Sequence, residues 1–106
     1  MTAIYKPLIL APEIIEIEAD EQALCSKLGA KRLTAEYFAP GMVMLLDADW
    51  QKKRLRLNSV INGVAYHGPM ILCNTDGERF CSLDHAKWSL RINWPEYYKK
   101  HRMKRR

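Results

Sequence analysis

The tetrapeptide Asn74-Thr75-Asp76-Gly77 constrains this sequence most, because it lies between two strand-like runs, 66–73 and 78–83. Asp-Gly between such runs specifies a β-hairpin and commits the chain to antiparallel sheet. Upstream, residues 4–10 alternate weakly before Pro12, and residues 13–18 are rich in β-branched side chains, so both read as short strands able to pair. Asp20 is placed to cap a helix whose apolar side carries Ala23, Leu24 and Leu28, with Gly29 closing it. Residues 31–38 and 42–46 read as strands joined by Ala39-Pro40-Gly41, and Asp47-Ala48-Asp49 turns the chain.

The run Lys53-Arg54-Leu55-Arg56-Leu57 alternates basic and apolar side chains, as a strand does with one face buried and the other in water. Asn58 is expected to cap a single helical turn through Val60 and Ile61 that stops at Gly63, and Gly68-Pro69 beside His67 reads as a bend at a strand start. Asp84 is expected to cap a second helix in which Ala86, Trp88 and Leu90 supply bulk. Asn93, Pro95 and Glu96 mark a fresh helix start. The fold class that follows is α+β: a mainly antiparallel sheet of five to seven strands, one or two covering helices, and a basic C-terminal helix or arm.

At 106 residues, 48% of them hydrophobic, the chain has the size and composition of a single domain. The expected division is one α+β domain over 1–93 and a basic C-terminal helix or tail over 94–106. The longest apolar stretch, residues 42–46, is far too short to span a membrane, and the N-terminus lacks the pattern of an export signal. Three cysteines, Cys25, Cys73 and Cys81, are an odd number that fits free thiols in a reducing compartment. The expectation is a soluble protein of the cytoplasm of a bacterial host cell, with no membrane partner. Charge is divided unevenly: residues 1–50 carry four Lys+Arg against eight Asp+Glu, and residues 51–106 carry thirteen against four. A field of that shape favours acidic partners.

Leu57-Asn58, Gly68-Pro69 and the run Asp76-Gly77-Glu78-Arg79-Phe80-Cys81-Ser82-Leu83 resemble a family of small uncharacterised domains found in bacteriophages and bacterial mobile elements, over about residues 4–88. The resemblance brings no enzymatic activity and no ligand. It implies a phage or mobile-element setting, in which proteins of this size act by binding and disabling host machinery, defence components included.

The tail holds Tyr97, Tyr98, Lys99, Lys100, Arg102, Lys104, Arg105 and Arg106, with six Lys+Arg in the last eight residues. Such a segment suits phosphates and stacked bases, and suits an acidic protein surface equally well; its bland alternative is a solvated terminus. Lys52, Lys53, Arg54 and Arg56 form a second basic cluster. On a strand, Arg54 and Arg56 point the same way and clamp one phosphate or carboxylate, unless they are simply a polar strand face. Trp50 sits in a polar turn and is a candidate interface anchor, against the alternative of an indole folded back over the sheet.

Cys73, Cys81 and His85 have zinc-ligand chemistry but supply only three ligands, so no metal and no cofactor is expected. His67, His85, His101, Asp47 and Asp49 show no nucleophile or phosphate-loop motif around them, so no catalytic residue is assigned and an enzyme is the least expected class. The leading expectation is a non-enzymatic accessory protein that binds and inhibits a host protein or nucleoprotein. Direct nucleic-acid binding through the basic C-terminus comes second. A sponge that holds a phosphorylated signalling ligand with Arg54 and Arg56 at a homo-oligomer interface comes third.

Overall fold

The computed structural model describes residues 1–83, without the side chain of Phe38. In chain order the elements are β1 (Thr2–Lys6), β2 (Glu13–Glu16), α1 (Glu21–Leu28), β3 (Leu33–Ala39), β4 (Met42–Asp47), β5 (Leu57–Ile61), β6 (Val64–His67), β7 (Met70–Thr75) and β8 (Phe80–Cys81). The main sheet runs β2-β1-β7-β4-β3, with β8 pairing with β7, and β5 and β6 form a separate two-stranded sheet. Every pairing is antiparallel.

Register divides the apolar side chains between two faces, because directly opposed residues of an antiparallel pair point to the same side. Ile71 and Cys73 of β7 share one face with Ala3, Val43 and Leu45, and there Leu24 and Leu28 of α1 cover them. Met70 and Leu72 share the other with Ile4, Met44 and Leu46, and there Ile61 and Tyr66 of the β5–β6 hairpin cover them. The result is three layers: helix, six-stranded sheet, small hairpin.

Helix α1 begins and ends as its sequence dictates. Asp20 is extended and its carboxylate accepts from the Ala23 amide at 2.7 Å; past the helix, the Gly29 and Ala30 amides donate back to the Ser26 and Cys25 carbonyls. The β1–β2, β3–β4 and β7–β8 pairings all occur as the sequence implies. The β7–β8 loop is closed by the Asp76 carboxylate, which accepts from the Glu78 and Arg79 amides and is held below the usual aspartate range by those two bonds.

Four expectations are overturned. Residues 53–57 are not a strand: 51–54 form turns, Arg54 takes a left-handed φ of 54°, and β5 starts only at Leu57. Asn58 caps no helical turn, since it lies inside β5. The turn that follows is made by Asn62 and Gly63, with φ of 52° and 81°. Two consecutive positive φ values make the tight hairpin turn whose twist matches the flanking strands, which Asn-Gly adopts at little steric cost. Residues 66–73 are two strands rather than one, broken at Gly68, whose φ is 81°. A Cβ there would lie 2.7 Å from Leu55 Cδ1. Finally, β1 stops at Lys6, and residues 7–10 leave the sheet. The expected helix after Asp84 lies outside the described residues.

The hairpin is fixed to the sheet by Asn58. Its side chain is buried, and its amide donates to the Lys6 carbonyl at 3.0 Å and to the Gly68 carbonyl at 2.8 Å. One carboxamide thereby joins β5, the end of β1 and the β6–β7 bend. Asn58→Ala should lower unfolding stability by about 2–4 kcal/mol, because two buried carbonyls lose their donor. Asn58→Asp should be no better, since a carboxylate cannot donate and would be a buried charge. Denaturant unfolding measures both, and an Asn58→Ala protein as stable as the parent would remove this bond from its place in the fold.

Candidate functional site

Four connections meet at one end of the sheet. Lys6, Met70 and Asp47 mark that end, because Lys6 pairs with Met70 and Asp47 lies two residues beyond Leu45, the partner of Ile71. From it extend the β1–β2 loop (7–12), the α1–β3 connection (29–32), the β4–β5 loop (48–56) and the β6–β7 bend (68–69).

The β4–β5 loop is a coil of turns held by its own backbone: the Leu55 amide donates to the Trp50 carbonyl at 3.0 Å and the Lys53 amide to Asp49 at 3.0 Å. Buried Asp47 organises it. One carboxylate oxygen accepts from the Asp49 amide at 2.8 Å and the other from Lys53 Nζ at 2.6 Å, while Nζ also donates to the Gly29 carbonyl at 3.1 Å. Arg32 and Asp49 pair at 2.6 Å, which holds the Asp49 carboxyl below the ordinary aspartate range. Both carboxylates of the loop are therefore neutralised from within. Lys53 belongs to this scaffold; Lys52, Arg54 and Arg56 are exposed.

Trp50 lies half-buried against His67, the two rings stacked at 4.4 Å and inclined by 12°. The imidazole is oriented by Nδ1, 3.1 Å from the Leu55 carbonyl. A carbonyl only accepts, so Nδ1 carries the proton and, in the neutral ring, Nε2 keeps its lone pair. The indole is thus folded onto β6 rather than projecting freely. Nothing in the sequence signals this pairing, since 17 positions separate the two residues.

Of the site residues expected from sequence, Trp50, Lys52, Arg54 and Arg56 are brought to one loop, and His67 joins them. Arg54 and Arg56 do not share a strand face, so the shared-clamp geometry expected for them does not form. Tyr97, Tyr98, Lys99, Lys100, Arg102, Lys104, Arg105 and Arg106 lie outside the described residues, as does His85. The described chain leaves the sheet at the opposite end: the Leu83 amide donates to the Thr2 carbonyl at 2.9 Å, four residues along β1 from Lys6.

The three cysteines are free, and burial with the neighbouring Cys81 pushes the Cys73 thiol up to about 12. Among the described residues no group of three or more His, Cys, Asp or Glu is placed to hold a metal. None of their helices is long and apolar enough to cross a membrane. No protein-family model, curated protein or solved structure matches the chain.

At the base of this end, buried Lys6 donates from Nζ to the Pro7 carbonyl at 2.7 Å, and burial lowers its pKa from 10.5 to about 8. Between those values the unfolded chain binds more protons than the folded one, so the Lys6 contribution raises stability as pH rises from about 8 to 10.5; below pH 8 it is constant. Lys6→Met lacks this titration. The stability of the parent relative to Lys6→Met should therefore climb from pH 7.5 through pH 9.5 in paired denaturant unfolding. A difference that is flat or falling with pH would show that Lys6 keeps an ordinary ammonium in the fold.

Proposed function

We propose that this chain is a non-enzymatic binding protein of the phage or mobile-element kind that it resembles, and that it inhibits a host protein or nucleoprotein by occupying an acidic surface. A host defence component is the partner that this setting favours. The observation that carries the reading is the unbalanced charge of the loop end. Asp47 and Asp49 are paired with Lys53 and Arg32, and outside those two ion pairs Lys52, Arg54 and Arg56 are exposed on the loop that carries the stacked indole, with Lys31 exposed on the neighbouring connection.

Exposed cations around an aromatic anchor are the composition by which proteins steer onto acidic surfaces and hold there: charge raises the association rate, and Trp and Arg carry much of the affinity. Residues 84–106 add eight Lys+Arg against two Asp+Glu, whereas residues 1–83 carry nine against ten. The positive field thus comes from two sources, one local to the loop end and one in the C-terminal segment. The sponge reading keeps Arg54 and Arg56 as its ligands, without the shared strand face that would align them.

The test is capture by the immobilised full-length chain from bacterial lysate, with and without nuclease. One protein should be retained equally in both, and the triple variant Lys52→Glu, Arg54→Glu, Arg56→Glu should lose it. Deletion of residues 97–106 should slow association and flatten its salt dependence while the rest of the chain stays folded. Retention that vanishes with nuclease would make nucleic acid the partner instead. Full retention by the triple variant would remove the loop end from the site.

A further inference from the structure

The β1–β2 connection, Pro7-Leu8-Ile9-Leu10-Ala11-Pro12, contains no polar side chain, where surface loops are ordinarily built from polar residues and glycine. Ile9 and Leu10 stand 48% and 63% exposed. Ile9 also has φ of 72°, a left-handed conformation that is an outlier for a β-branched residue. Strain of this kind persists only where the surroundings enforce it, and it gathers at segments that contact ligands.

The stem of the loop is held from outside it. Asn58 Nδ2 approaches the Pro7 carbonyl at 3.5 Å and the Lys6 carbonyl at 3.0 Å, Lys6 Nζ donates to Pro7 at 2.7 Å, and a proline fixes φ at each end of the loop. The same Asn58 amide reaches Gly68, whose own amide donates to the Arg56 carbonyl at 2.8 Å. The stem of the apolar loop and the basic loop are therefore joined through Asn58 and Gly68 at one end of the sheet.

The geometry points to Ile9 and Leu10 as an apolar anchor that enters a pocket on a protein partner, the pocket apolar within and rimmed by carboxylates that face Lys52, Arg54 and Arg56. This rests on the acidic-surface reading above and assigns its contact residues. A shaped pocket benefits from a tip whose conformation is already fixed, whereas a fluid bilayer does not. Two exposed side chains also offer less apolar surface than a myristoyl chain, which by itself anchors only marginally. A second copy docked tip to tip would bring like charges from Arg54 and Arg56 together.

The experiment places a photo-activated crosslinking residue at position 10 of the full-length chain, irradiates it in bacterial lysate and sequences the adduct. An adduct on a protein segment of apolar residues flanked by Asp or Glu is expected, with none on that protein from the same probe at position 60. With the purified partner, Ile9→Asn should dissociate about tenfold faster or more. Its unfolding temperature should be unchanged or higher, because Asn tolerates the left-handed backbone. An adduct on lipid, nucleic acid or a second copy, or no adduct at all, overturns the anchor, as does dissociation of Ile9→Asn within about twofold of the parent. Vesicles of phosphatidylcholine and phosphatidylglycerol should not retain the chain; retention that Leu10→Asp abolishes makes lipid the partner. If Ile9→Asn has its effect while the triple charge variant has none, the anchor stands and the acidic-surface reading falls.

Discussion

A central strand that is apolar on both faces cannot be left with only one face covered, and the described architecture answers that constraint. Met70, Ile71, Leu72 and Cys73 are four consecutive residues without solvent exposure, alternating between two clusters. Full burial of a side chain of this size stabilises the fold by about 1.5–3 kcal/mol, so an open face would forfeit several such terms. One eight-residue helix covers one side. The β5–β6 hairpin covers the other, and the Asn58 carboxamide holds that cover in place, because it offers the two donors that the ends of β1 and β6 lack.

Legibility of the sequence followed the range of the interactions. Asp20 and Gly29 bracket α1 through bonds made within a few residues, and Asp76-Gly77 closes its loop with bonds to Glu78 and Arg79, so both could be read from the sequence. Asn62-Gly63 carried an equally local signal, but a helix-capping role assigned to Asn58 diverted it; the true task of Asn58 is to bond Lys6, 52 positions away. The alternation of residues 53–57 was misleading for a similar reason. Lys53 is drawn to Asp47 and to the carbonyl of Gly29, which bends the segment into turns.

The candidate site was legible as composition and not as geometry. The cations at 52, 54 and 56 are evident in the sequence, but which of them remain exposed depends on the tertiary pairing of Asp47 and Asp49. The stacking of Trp50 on His67 and the backbone strain at Ile9 depend on distant partners, and neither has a sequence signature. The loop end is basic because its Lys and Arg outnumber Asp47 and Asp49, and the fold decides which cations those two carboxylates hold.

The position of β7 has a consequence for how the chain reaches this state. The strand is central in the sheet yet late in the sequence, and it bridges β1 and β4, with Ile4 paired to Leu72 across 68 positions. Until residues 70–75 leave the ribosome, β1 and the β3–β4 hairpin have no strand to join them, and Ile4 and residues 42–45 lack the partners that β7 supplies. Contacts this distant close slowly and expose apolar strands in the interval. The acidic residues that flank β2 then act before the fold exists, as like charges that discourage nascent chains from pairing edge to edge.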